Sequence, residues 1–312
     1  MSLKSLLLGT IKILFTTFLV ASITFLLIHF IPGNPFSGSK TLPKEILLNL
    51  ETKYHLNEPL LTQYLLYLKG LIHGDLGPSL KYINRSVNEI LFSALPVSLI
   101  LGSLALIISI PIGLLGGILS ATLTSKRGSK AKQYLGNLLI VLITSGISLP
   151  TFLIGALLVN IFGVHLKLLP VALWESPYHM ILPTITLSFL PAAYIARITR
   201  SQMIEQLSED YIKILLAKGI SFKNIIFKHA FKNCLISIVT ILGPVIAILI
   251  TGSFVVEYIF AIPGMGRYFV TAFTNRDYFL ISGTAIIFSL ILTTLNVIID
   301  ALYKKIDPRM SS

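Results

Sequence analysis

Residues 209–233, EDYIKILLAKGISFKNIIFKHAFKN, carry Glu209, Asp210, Lys213, Lys218, Lys223, Lys228 and Lys232 between stretches with almost no charge. Their own pattern is helical. Glu209 and Asp210 suit the positive end of a helix, and Ser208 before them is a natural N-cap. Gly219, after Ala217 and Lys218, is a natural stop, because glycine enters left-handed backbone freely. Ser221 then opens a second helix with Phe222, Ile225, Ile226 and Phe227 along its inner side. The reading is helix, glycine bend, helix: a charged knuckle in an oily chain.

Composition decides where that knuckle sits. The 312 residues are 54% hydrophobic and 12% charged, against roughly 25% charged in a soluble domain. A span needs about 20 apolar residues, and six stretches qualify: 9–31, 95–123, 135–162, 181–200, 235–257 and 278–302. The first run continues to Ile31, past the roughly 7 to 15 apolar residues of a signal peptide, and is read as a retained span. The expected class is an all-α membrane protein of six transmembrane helices. Its expected divisions are 1–31, the N-terminus and first helix; 32–94, a cap outside the membrane; and 95–312, a five-helix core holding a cytoplasmic loop at 201–233.

Charge sets the orientation. Lys4, Lys12, Lys126, Arg127, Lys130, Lys132, Arg197, Arg200, the knuckle lysines, Lys304, Lys305 and Arg309 all fall on one side of that topology. The short opposite loops hold only Lys167, Arg267 and Arg276, so the positive-inside bias puts both termini in the cytoplasm. This asymmetry accounts for the +12 net charge without nucleic acid as a partner. Arg197 and Arg200 anchor the fourth span at the inner surface, where Arg200 is also placed to brace the knuckle.

In the segment 32–94, Ile46, Leu47, Leu50 and Tyr54, then Leu61, Tyr64, Leu65 and Leu68, recur at helical spacing, interrupted at Asn57-Glu58-Pro59. That pattern predicts a small helical cap. Pro111, Pro150, Pro183, Pro191 and Gly243-Pro244 predict bends within the spans, where freed carbonyls must face protein or water. Gly113 and Gly117 permit close helix contact.

Several chemistries are excluded. One cysteine, Cys234, makes no internal disulfide. Six histidines without H-x-x-x-H or Cys/His pairing give no metal site, and no cofactor motif occurs. The chain lacks G-x-x-x-x-G-K-[ST], so it is not itself an ATPase. H-E-x-x-H and G-x-S-x-G are absent, and the Gly74-Asp75 pair has Ile72 where a G-x-G-D motif requires glycine. By pattern alone the knuckle serves equally as a docking surface or as an amphipathic segment on anionic lipid. The bent spans suit an ATP-independent secondary transporter as well.

The knuckle resembles the coupling loop of ABC-importer permeases, the segment that this family docks into a groove on its ATPase. Tyr211, Lys218-Gly219 and His229-Ala230-Phe231-Lys232-Asn233 fill the recurring places of the peptide-importer branch. Ile214 and Leu215 depart from it where small residues are common, and Lys232 where proline is. Further stretches carry the likeness along nearly the whole chain: IPGNPF (31–36), TLPKEILLNLETKYHLNEPLLTQYLLYLKGLIHGDLGPSLKY (41–82), ARITRSQMIE (196–205), TGSFVVEYIFAIPGMGRYFVTAFTNRDY (251–278) and DALYKKIDPRM (300–310). In order and at suitable spacing, they are similar to the B-type permease subunits of bacterial oligopeptide importers.

That resemblance implies a type I ABC importer permease fold in the inner membrane. The implied partners are a C-type permease, two ABC ATPase subunits, an extracytoplasmic peptide-binding protein, a peptide substrate and membrane lipid. It implies ATPase coupling through Asp210, Tyr211, Ala217, Lys218, Gly219, His229 and Asn233. Glu257, Pro263, Gly264, Gly266 and Arg267 match the gate-side loop after span five, although an ionisable residue near a span end also serves as an interfacial anchor. Dipeptides or nickel complexes are the alternative cargoes within the family.

Overall fold

The computed structural model describes residues 3–30, 52, 57–82, 84–125 and 129–306. Among them the regular elements are helical: α1 (Leu3–Phe30), α2 (Leu60–Ile72), α3 (Val87–Thr124), α4 (Lys130–Ser148), α5 (Thr151–Leu158), α6 (Pro177–Ser208), α7 (Asp210–Ala217), α8 (Phe222–Asn224), α9 (Phe231–Ile259), α10 (Met265–Asn275) and α11 (Tyr278–Ile306). Wide π-helical turns follow α5 at Val159–His165 and α8 at Ile225–Ala230.

Among the described residues, four helices are long and apolar enough to cross a bilayer unbroken, within α1, α3, α6 and α11. The expected span 135–162 is not straight. Lys130–Ser148 and Thr151–His165 meet at 106°, because Pro150 lacks an N–H and forces Leu149 into extended backbone, φ −92° and ψ 128°. A second pair, Phe222–Leu235 and Ser237–Ala247, bends by 57°. Counting each bent pair as one crossing gives six spans. Pro183 and Pro191 lie inside α6 and Pro244 inside α9 without ending either helix.

The chain divides into two compact units, residues 1–98 with 263–294, and 99–262 with 295–312. In the first, the hydroxyls of Thr17, Ser22 and Thr24 bond back to carbonyls one turn earlier at 2.7–2.8 Å, so these three do not meet lipid unsatisfied. α2 lies along α1: Ser22 Oγ and Tyr64 Oη are 2.7 Å apart, and Phe25 stacks on Tyr67. The face of α2 turned inward is Tyr64, Tyr67 and Leu68, whereas Leu61 and Leu65 are exposed. The stripe Ile46, Leu47, Leu50 and Tyr54 lies outside the described residues, as do IPGNPF, Lys126 and Arg127.

Asp277 closes this unit. It is completely buried and N-caps α11, its Oδ1 accepting from Leu280 N–H at 3.2 Å. Its Oδ2 accepts from the Ser79 hydroxyl at 2.5 Å and the Lys81 N–H at 3.2 Å. The loop after α2 is thereby tied to the head of α11.

In the second unit α6 is the enclosed element. Of its most apolar window 61% is buried, against 17% for α1, so α6 faces protein where α1 faces outward. The predicted close contact at Gly113 and Gly117 is present. A Cβ on Gly113 would meet Ile195 Cβ at 2.6 Å, and one on Gly117 would meet Thr199 Cβ at 2.6 Å and Ala196 O at 2.7 Å. α3 and α6 touch through backbone there, as small residues allow.

Candidate coupling surface

α6 ends at Ser208, and a single extended residue, Glu209 (φ −66°, ψ 151°), turns the chain into α7. The expected cap is displaced by one residue. Ser208 still belongs to α6 and donates its hydroxyl to the Glu205 carbonyl at 2.6 Å, so Glu209 occupies the N-cap position and Asp210 opens the helix. Asp210 and Lys213 form an exposed ion pair at 2.6 Å. The hydrogen bond from Lys213 holds the Asp210 carboxyl below its ordinary range, and Asp210 raises Lys213 in return.

The glycine bend forms as the sequence predicts. Gly219 adopts φ +75°, its N–H bonds to Leu216 O at 3.0 Å, and the Ile220 N–H bonds to Leu215 O at 3.2 Å. These two bonds make a Schellman cap, satisfying carbonyls that the ended helix leaves open. Ser221 caps the next turn by accepting from Asn224 N–H at 3.4 Å. The chain then widens through the π turn into α9.

Burial gives the knuckle two sides. Ile212, Ile225, Ile226 and Ala230 join Met203 of α6, Ile118 and Ala121 of α3, and Cys234 and Ile238 of α9 in one apolar core. Phe222 packs at its edge. Phe227, expected inside, is 48% exposed, because the π turn shifts its angular position relative to a regular helix. The opposite side presents Asp210, Lys213, Ile214, Ala217, Lys218 and Gly219, all exposed, at the i, i+3, i+4, i+7 spacing of one helix face. Ile214 alone puts a large apolar side chain there, 57% exposed.

Tyr211 and Asn233, 22 residues apart, meet through a residue that the sequence reading passed over. Gln206 Oε1 accepts from the Tyr211 hydroxyl at 2.9 Å and from Asn233 Nδ2 at 3.1 Å, while Asn233 Nδ2 also lies 3.3 Å from the Tyr211 oxygen. Next along, Ser237 Oγ donates to Gln202 Oε1 at 2.9 Å. His229 sits half-buried in the π turn. Arg200 does not brace the knuckle. Its Nη2 donates to Asn137 Oδ1 of α4 at 2.5 Å and reaches Thr124 Oγ1 of α3 at 3.5 Å, because the following turn of α6 carries the knuckle away from it.

The surface is therefore built like a lever: an exposed face, a buried heel and polar ties to the long helices on either side. A family model described as "Binding-protein-dependent transport system inner membrane component" matches residues 109–312, which include the whole knuckle. The chain belongs to this family. It is 44% identical over 295 residues to the dipeptide transport system permease protein DppB of Bacillus subtilis, covering 95% of this chain and 94% of that one. It is 38% identical over 297 residues to the oligopeptide transport system permease protein OppB of Salmonella typhimurium, covering 95% of each. In fold it resembles a chain of the MetNI methionine ABC transporter in an inward-facing conformation, with a TM-score of 0.54, 14% identity, and coverage of 68% of this chain and 92% of that one. The fold is that of a type I ABC importer permease.

As a member of this family the chain is a membrane permease component and not an enzyme. The residues expected at a gate fall in different units. In the second unit Glu257 is completely buried near the end of α9, and its carbonyl accepts from Ile262 N–H at 2.8 Å. Between them Ala261 takes a left-handed φ of 52°. In the first unit Pro263 is exposed, Gly264 is the N-cap of α10, Gly266 is buried, and Arg267 is half-buried. There Met265 N–H donates to Ser98 Oγ at 2.9 Å. Burial of Glu257 was not legible, since a lone carboxylate at a span end reads equally as an interfacial anchor.

Proposed function

We propose that the chain is the B-type permease subunit of an ATP-driven peptide importer. It pairs with a C-type permease around the translocation path and works with two ABC ATPase subunits and an extracytoplasmic peptide-binding protein. The observation that carries this reading is identity of 38–44% to dipeptide and oligopeptide permeases along 95% of the chain. Both termini and the knuckle face the cytoplasm, supported by the charge asymmetry, and the segment 32–94 caps the outer side.

The exposed face of Asp210, Lys213, Ala217 and Lys218 docks on an ATPase subunit, and closure of the two ATPases drives alternating access. Moving the bundle from about 1:99 to 99:1 between inward and outward states takes about 5.5 kcal/mol of differential interaction, which an interface with mixed charged and apolar contacts supplies. Resemblance to the family's gate-side loop supports a gating role for each of Glu257, Pro263, Gly264, Gly266 and Arg267. Resemblance in the outer cap supports oligopeptides as cargo, while the higher identity to the dipeptide permease favours shorter peptides as a second reading.

Purification of the tagged chain in mild detergent, with identification of what accompanies it, tests the assembly. A second permease and an ATPase at stoichiometric amounts are expected; recovery of the chain alone from active membranes would contradict it. Competition between unlabelled dipeptides and pentapeptides for uptake separates the two cargo readings.

A further inference from the structure

Gln206 is the point where three elements share one acceptor atom. It sits two residues before the end of α6, and its Oε1 takes a hydrogen bond from Tyr211 in the first turn of α7 and from Asn233 in the first turn of α9. α7 is otherwise joined to α6 through Glu209, whose N–H bonds to the Gln206 carbonyl at 3.3 Å, and to α8 through the Gly219 bend, and it rests on the apolar seat of Ile212 in the core shared with Met203, Ile225 and Cys234, which is non-directional. Hydrogen bonds have direction. Among the side-chain contacts, the triangle of Gln206, Tyr211 and Asn233 is the one that ties the angle of α7 to the ends of α6 and α9 together.

Resting on the docking role proposed for the knuckle, we infer that Gln206 is a positioning residue for energy coupling, converting displacement of α7 into joint movement of α6 and α9. Without its acceptor, α7 still docks but tilts independently of the helices it should move. ATP is then hydrolysed without a matching transport step. Tyr211 keeps its proton and remains a donor, since burial raises its phenol above the ordinary value.

The test uses the assembled importer with its binding protein, reconstituted in vesicles, and measures labelled dipeptide and pentapeptide taken up per ATP hydrolysed. Two hydrogen bonds of ordinary net strength amount to about a tenfold shift in an equilibrium. Gln206→Met, which keeps length and removes the acceptor, should lower peptide per ATP about tenfold while hydrolysis stays within about twofold. Gln206→Glu retains an oxygen acceptor and should recover most of the ratio. Tyr211→Phe, which removes one donor and little volume, should give an intermediate loss. An unchanged ratio in Gln206→Met, or uptake and hydrolysis falling in the same proportion, would overturn the inference.

A cysteine at Ala217 separates this from failure of the docking role. The native Cys234 is fully buried and does not compete for a crosslinker. If Ala217→Cys never crosslinks to an ATPase subunit in the otherwise native importer, the docking role itself is wrong. Crosslinking retained beside an unchanged ratio in Gln206→Met rejects Gln206 alone.

Discussion

Gly219 holds φ +75° with no neighbour within 4 Å of the place a Cβ would occupy. Any penalty for substitution is thus one of backbone conformation, not of collision within the chain. Gly219→Ala should destabilise the knuckle by about 1–2 kcal/mol, and Gly219→Asn by less, because asparagine tolerates left-handed backbone; hydrogen exchange of the α7 amides reads the difference. Gly219→Val should abolish transport while leaving the protein in the membrane. Tyr211 adds a pH dependence of known sign. Burial is the leading cause of its raised pKa, ahead of the opposing Asn233 hydrogen bond, so the folded state favours the neutral phenol. Its contribution is whole below the ordinary tyrosine pKa of about 10 and fades as pH rises through the raised value. The stability difference between the native chain and Tyr211→Phe in detergent should hold constant from about pH 6 to 9 and shrink only above about pH 10. The Lys-Gly bend was legible because its cause is local. Gln206 and Asp277 were not, since each also takes a donor far off in sequence, Asn233 at 27 residues and Ser79 at 198, and nothing in a polar residue's own neighbourhood announces a distant donor.

Among the elements, hydropathy located the apolar stretches, and of the expected bends only that at Pro150 coincides with a break, the 57° break lying between Leu235 and Ser237 while Pro111, Pro183, Pro191 and Pro244 sit inside helices. Pro150 turns its span by 106°, whereas Pro183 and Pro191 sit inside one continuous helix. The same residue type differs in outcome because α6 is enclosed by protein that holds it together, an effect of tertiary packing absent from local sequence. The α3–α6 contact was legible in the spacing of Gly113 and Gly117, and it makes a sharp prediction. In Gly117→Val the new side chain meets Thr199 and the Ala196 carbonyl, and overpacking of this kind typically costs about 1–3 kcal/mol. The purified variant should lose thermal stability in detergent by a corresponding amount, with Gly102→Ala, where a Cβ meets nothing within 4 Å, as the tolerated control. Loss of Asp277 acts differently. Asp277→Ala strands the Ser79 hydroxyl and the Leu280 amide, each worth roughly 1–3 kcal/mol if left unsatisfied and buried, while the Lys81 amide keeps the Ser79 oxygen at 3.3 Å. It should destabilise more than Ser79→Ala in the same melting measurement.

For the whole molecule, the scarcity of charge and the excess of Lys and Arg in the expected inner loops pointed to a six-span membrane protein before any geometry was known. The family was legible from motifs spread along the chain. The two faces of the knuckle were half legible: Ile225 and Ile226 lie inside as expected, but the π turn carries Phe227 outward, since a six-residue π segment breaks the angular bookkeeping on which helical patterns rest. Everything specific to transport depends on whether that exposed face meets a protein partner or the lipid surface. The direct measurement is crosslinking from single cysteines at Lys213, Ala217 and Lys218 in the assembled importer through cycles of ATP binding and hydrolysis. All three positions should crosslink to an ATPase subunit, with yields that change between the nucleotide-bound and nucleotide-free states. Adducts to phospholipid headgroups alone, in every state of a working importer, would contradict the account.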